Sequence, residues 1–235
     1  MNSGYLNGKN VLLFAQNECE YSRYALSCLE ALGCNVTTGF GNFRGEPFDD
    51  TLSEWEGDFI FSFKCYWKIP CILLRKSKSL AINFHPATPE YPGSGSYSWA
   101  LYEKQKQYGV TVHKMNSKID NGPIIEVFKF KIDETCTLQQ LIDETNQFSA
   151  KVFVNFIQAL DRVKPKDLHK LGADIDVSWN GVARKISDLD DMSKLTIDMT
   201  KEEVALRIRA FSLKKFPLIL TAWGLPFKLE YQQSV

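Results

Sequence analysis

The sequence has little histidine, no paired-cysteine motif, no excess of either charge and no long apolar run. Its 235 residues include three histidines. Lysine plus arginine and aspartate plus glutamate stand at 28 each, for a formal net charge of zero. That balance removes the broad basic footprint of a nucleic-acid or anionic-membrane binder, while leaving room for a local phosphate site. The six cysteines (Cys19, Cys28, Cys34, Cys65, Cys71 and Cys136) form no C-x-x-C pair and meet no histidine at zinc spacing. Reduced thiols in a cytoplasmic protein without a metal are the expectation. No apolar run approaches the ~20 residues of a membrane-spanning helix. The opening MNSGYLNGKN is polar and has no secretory h-region. There is no internal repeat and no low-complexity tract.

What is there is a core-forming composition, 44% hydrophobic, arranged in alternating periods. NVLLFA (10–15), NVTTGF, DFIFSF (58–63) and LAINF (80–84) read as buried strands. YSRYALSCLEALG has helical spacing and ends on glycine, a C-cap signal. PCILLRKS reads as a short helix with Pro70 in its first turn. SYSWALYEKQ is predicted helical and GVTVHKM and PIIEVFKFKI extended. A helix is predicted from Thr137 to Leu160, with Thr137 and Gln140 spaced for a capping box. Strands alternating with helices predict an α/β domain with a mainly parallel, Rossmann-like sheet over residues 1–160. Residues 161–235 predict a small C-terminal α+β subdomain. In it, VARKISDLD reads as a strand ending in a loop, TKEEVALRIRAF as a helix capped by Thr200, and LILTAWGLPFKLE as a hairpin around Gly224.

The stretch AINFHPATPEYPGSGSYSWAL places Asn83 and His85 at a strand's carboxyl end, where open α/β sheets bind ligands. Period-two alternation puts both side chains on one side. An amide N–H for an oxyanion and an imidazole for a proton suit attack on a carbonyl. GSGSYS lacks the third glycine and the preceding strand of a dinucleotide fingerprint, so no NAD site is expected. Further on, Asp120 sits in the loop NSKIDNGPII, flanked by Asn121 and Gly122. His113 reads as strand packing and His169 as a solvated side chain.

Together NFHPATPEYPG, GVTVH and IDNGPII resemble the folate-dependent formyltransferase family, over roughly 11–160 as organisation and 61–125 as motif. The resemblance implies N10-formyltetrahydrofolate as donor. It implies that Asn83 polarises the formyl oxygen, that His85 acts as acid/base or stabilises the tetrahedral intermediate, and that Asp120 orients the histidine. It places the pterin near Tyr66, Trp67 and Ile69 and near the loop of Asn116 and Lys118. The loop after the histidine is one residue shorter than H-P-S-L-L-P-x-Y-R-G, with Pro92 where arginine is common. That shorter form looks more like the sugar N-formyltransferases.

A transfer-RNA acceptor is disfavoured by the zero net charge and by only 75 residues beyond residue 160. A glycinamide ribonucleotide acceptor is disfavoured by FAQNECEYSRYA, a loop without glycine after the first strand. The implied acceptor is a nucleotide-linked amino sugar, dTDP-4-amino-4,6-dideoxyglucose first, for O-antigen-type surface polysaccharide, in a homodimer. The alternatives are another folate-dependent formyltransferase and a catalytically silent nucleotide-sugar-binding protein. Candidate acceptor contacts are Ser22 and Arg23 at a helix start, a place suited to phosphate, and Tyr97, Trp99 and Tyr102. Arg207 and Arg209 are candidates for a subunit interface or the pyrophosphate.

Overall fold

The computed structural model describes residues 4–212 and 217–229. The chain runs β1 (Asn10–Gln16), α1 (Glu20–Ala31), β2 (Asn35–Gly41), β3 (Gly57–Phe63), α2 (Cys71–Leu74), β4 (Ser77–His85), α3 (Ser96–Tyr102), β5 (Gln107–Lys114), β6 (Ile124–Lys131) and α4 (Leu138–Leu160). It continues as α5 (Ile186–Met192), β7 (Lys194–Thr196), α6 (Lys201–Phe211), β8 (Ile219–Ala222) and β9 (Leu225–Lys228).

The main sheet has the order β2-β1-β3-β4-β5-β6. β2, β1, β3 and β4 pair in parallel, and β5 and β6 add antiparallel at the far edge. β1 and β3 lie inside the sheet and are buried on both faces, which is why their apolar runs are continuous rather than alternating. Val11, Leu13 and Ala15 join Phe59, Phe61, Phe63 and the α1 and α4 residues Leu29, Phe153 and Ile157 on one face. Leu12, Phe14 and Ile60 meet Leu52 and Leu73 on the other. α4 starts at a full capping box: Thr137 accepts from the Gln140 N–H, and the Gln140 side chain accepts from the Thr137 N–H at 2.8 Å.

Residues 186–192 correct the expected strand: they form α5. Ile186, Leu189 and Met192 recur every third residue, a helical interval, and the Asp188 carboxylate accepts the Lys185 N–H at 2.9 Å to cap the start. Thr200 caps α6 as expected, its hydroxyl accepting the Glu203 N–H at 3.1 Å. The β8–β9 hairpin turns on Trp223 and Gly224, both at positive φ, as a two-residue primed turn requires.

One apolar cluster crosses residue 160. Ala87, Tyr91, Leu101 and Tyr108 pack with Leu189, Leu195, Phe211 and Leu218. Phe211, 2% exposed, is worth about 1.5–3 kcal/mol by burial alone. The arginines of α6 tie it down. Arg207 pairs with Glu203 at 2.6 Å and donates to the Lys194 carbonyl at 2.9 Å. Arg209 donates to the Cys136 carbonyl at 3.0 Å. Both guanidinium groups are engaged within the chain.

Candidate active site

Three elements converge at the carboxyl end of β4. The strand delivers Asn83 and His85. β5 pairs with it antiparallel, so that Asn83 faces His113 and His85 faces Thr111. The β5–β6 register shifts between Val112 and His113, a bulge that re-aims the strand beside the site. The loop before β6 then brings Asp120 back over both histidines.

Asp120 carries the local strain. Its φ is +43°, in the left-handed region that ordinary residues avoid, a conformation that costs about 1–3 kcal/mol and that aspartate tolerates better than most. Three groups surround its carboxylate. Oδ2 accepts the Gly93 N–H at 2.9 Å and lies 3.3 Å from His85 Nδ1, while Oδ1 lies 3.6 Å from His113 Nε2. Two glycines allow the approach. A Cβ on Gly122 would meet the Lys114 carbonyl oxygen at 1.8 Å, and one on Gly93, at φ +85°, would meet that of Arg184 at 2.5 Å.

The partners fix most protons. The Lys114 carbonyl, 3.0 Å from His113 Nδ1, can only accept, so Nδ1 carries the hydrogen. His113 Nε2 then accepts from the Asn83 amide at 3.1 Å, and the same amide reaches Asp120 Oδ1 at 3.4 Å. His85 Nε2 donates to the Tyr91 carbonyl at 2.9 Å, because HPATPEY folds back over the ring. Its Nδ1 faces the carboxylate. Burial draws the pKa of His85 down; the Asp120 charge and the Tyr91 carbonyl pull the other way, and His113 adds to the fall. For Asp120, desolvation works upward. His85, His113 and the Gly93 N–H outweigh it and bring the carboxyl down to about 2. The site is therefore an ionised carboxylate that accepts from the Gly93 N–H and the Asn83 amide and faces two imidazoles, with Asn83 the least buried member. Among the described residues, no group of three or more His, Cys, Asp or Glu side chains is arranged to hold a metal ion.

Two further residues join the cluster, one read as packing from the sequence and one that the sequence did not single out. His113 belongs to the site, not to packing alone. Trp179, from the polar segment after α4, lies edge-on to both histidines, 5.0 Å from the His113 ring and 5.7 Å from that of His85. Its indole N–H donates to the Gly122 carbonyl at 2.7 Å.

Other expected contacts are placed elsewhere. Ser22 is fully buried and accepts the Gln16 N–H at 3.2 Å, so its hydroxyl serves the β1–α1 turn and is closed to a phosphate. Arg23 is exposed on α1. Trp99 and Tyr102 pack edge-on against Phe211, the Tyr102 hydroxyl donating to Glu203 at 2.9 Å, and Tyr97 packs on Tyr108. These three half-buried rings pack against the second core. Trp67 and Ile69 are half-buried beneath the sheet, Trp67 against Phe14 and Phe48. Tyr66 is half-buried, and Asn116 and Lys118 are exposed, the Asn116 side chain accepting the Lys118 N–H at 2.9 Å.

Residues 42–157 match the formyl transferase family model. The match covers just under half of the chain. The chain is 29% identical over 160 residues to the bifunctional polymyxin resistance protein ArnA of Wigglesworthia glossinidia brevipalpis, covering 63% of this chain and 24% of that protein. Of the other leading curated relatives it spans 38–42% of their length. A sugar N-formyltransferase structure from Shewanella sp FDAARGOS_354 superposes with a TM-score of 0.70 at 20% identity, covering 96% of this chain and 98% of that one. The formyltransferase PseJ of Anoxybacillus kamchatkensis, in complex with UDP-4,6-dideoxy-4-formamido-L-AltNAc and tetrahydrofolate, superposes with a TM-score of 0.60 at 21% identity, covering 77% and 88%. At these identities the structural likeness is one of fold. It agrees with the mainly parallel, Rossmann-like sheet expected of the formyltransferase domain. No helix among the described residues is long and apolar enough to cross a membrane.

Proposed function

We propose that this chain transfers a formyl group from N10-formyltetrahydrofolate to the amine of a nucleotide-linked amino-dideoxy sugar. The observation that carries the reading is the buried Asn83, His85, His113 and Asp120 cluster at the carboxyl end of β4, within the residues that match the formyl transferase family model. The neutral sugar amine adds to the formyl carbon, whose oxygen becomes an oxyanion. One Asn83 N–H, released from His113 or Asp120 when the donor seats, meets that oxygen. The amine proton passes to the His85–Asp120 pair, the bond from carbon to N10 breaks, and N10 takes up a proton. A formamide and tetrahydrofolate leave. An oxyanion donor contributes about 10²–10³ in rate and a positioned acid–base group about 10²–10⁴.

The sugar acceptor is supported by the extent of the Shewanella superposition and by the formamido sugar bound to PseJ. The residues 65–70 and 116–120 line the donor side through their backbone. Within this class dTDP-4-amino-4,6-dideoxyglucose is the first acceptor to try, with a role in surface polysaccharide, a cytoplasmic site of action and a homodimer following the same resemblance. The test incubates the protein with N10-formyltetrahydrofolate and dTDP-, GDP- and UDP-linked 3- and 4-amino sugars, with glycinamide ribonucleotide as control. Mass spectrometry reads the gain of one formyl group. Formylation of the control alone, or of nothing while folate binds, overturns the sugar acceptor.

A further inference from the structure

Residues 179–185 lie across the loop that follows His85. The Asn180 N–H reaches the Pro89 carbonyl at 3.5 Å, the Arg184 N–H the Pro92 carbonyl at 3.2 Å, and the Ser94 N–H the Arg184 carbonyl at 2.9 Å. At its far end Arg184 is clamped, paired with Glu103 at 2.8 Å and stacked 4.1 Å over Trp99. At its near end Trp179 is the only side chain of this strap that touches the histidine pair among the described aromatic contacts. The strap lies outside the residues that match the family model.

We infer that Trp179 is a positioning residue for the proposed transfer, walling His85 and His113 from water with its indole and pinning the Asp120 loop through Gly122. Three contacts act together. The indole meets both imidazoles, so hydration of either ring requires it to move. The bond to the Gly122 carbonyl lies two residues from Asp120, in the loop whose strained backbone sets the carboxylate. His113, held in one tautomer, in turn fixes the Asn83 amide that the mechanism uses. Asp120 and His113 are the titratable groups facing His85. Glu103 of the α3 C-terminus turns instead to the Tyr91 hydroxyl and Arg184, and Tyr91 offers His85 its carbonyl. This inference deepens the formyl-transfer reading and rests on it for its kinetic consequence only.

The test therefore has two arms. Nitrogen-15 NMR of labelled imidazoles resolves a chain with three histidines, His169 serving as an exposed control. In Trp179→Ala, the His85 midpoint moves upward as water enters, and His113 loses its single Nδ1–H tautomer, while His169 is unchanged. Trp179→Phe, which restores an aromatic wall, returns both signals toward wild type. Trp179→Leu, which keeps apolar volume, carries the measurement if the alanine chain does not fold, with a smaller shift of the same sign. Identical imidazole titrations and tautomers in folded Trp179→Ala or Trp179→Leu and in wild type overturn the inference. In the transfer assay, Trp179→Ala lowers kcat about 10-fold or more with little change in donor KM, and Trp179→Phe recovers most of it. An unchanged kcat in an active enzyme also overturns it. Absence of transfer in the wild type overturns the functional reading and leaves the NMR arm standing.

Discussion

Asp120→Asn is the most informative single substitution because it removes a charge and almost nothing else. Asparagine fits the same volume and tolerates the +43° backbone as well as aspartate does. It keeps an oxygen for the Gly93 N–H. What it loses is the negative charge beneath two imidazoles. The fall of the carboxyl pKa from its ordinary 3.8 to about 2 corresponds to about 2 kcal/mol, at ~1.4 kcal/mol per pH unit. Its side chain is 7% exposed, so water screens little of this. The sign follows from the direction. A carboxylate whose pKa is lower in the folded chain stabilises it fully above the unfolded value, and that stability is lost as pH falls through the folded one. Urea unfolding of both chains from about pH 6 down to about pH 2 reads the effect. The wild type should lead by about 2 kcal/mol or more at the upper end, and the lead should narrow by about that amount toward the lower end. Two parallel curves would refute the assignment of Asp120 as the charge on which the site is built.

Other outcomes follow from the same geometry. Asn83→Ala should lower kcat by about 10²–10³ and His85→Asn by about 10²–10⁴, while the thermal midpoint moves by only a few degrees, measured by steady-state assay and calorimetry. Gly122→Ala should destabilise by about 1–3 kcal/mol, because its Cβ would meet the Lys114 carbonyl oxygen at 1.8 Å. The same change should raise the Asp120 pKa, read by carboxyl NMR, as the loop retreats from the histidines. Acidification through the ordinary imidazole range should cost stability through His85, whose folded pKa is lowered, and His85→Asn should remove that slope in unfolding experiments.

Much of this was legible without coordinates, for a physical reason. Strands buried on both faces leave unbroken apolar runs, as in β1 and β3, and α4 announces itself by Thr137 and Gln140. Asn83, His85 and Asp120 stood out because polar groups at a strand end and in a glycine loop have no packing role to explain them. His113 did not, because GVTVH has the look of an ordinary strand. Only the antiparallel register that sets it opposite Asn83 reveals its place. Trp179 sits in a polar stretch without period, and its contacts span the chain. Tyr97, Trp99 and Tyr102, beside the site in sequence, pack against Tyr108 and Phe211. α5 replaces the strand expected over VARKISDLD because Ile186 and Leu189 lie at a helical interval that Met192 continues.

The strap over His85 also sets an order of assembly during synthesis. A ribosome delivers the sheet, the histidines and the Asp120 loop long before Trp179 and Arg184 emerge. For that interval the nascent chain holds its reactive groups open to water, and the distant partners of Gly93 and Gly122 are still missing. Contacts that close over so many intervening residues are the slow ones in folding. A chain cut short within its last third would carry Asn83, His85, His113 and Asp120 without the strap that covers them.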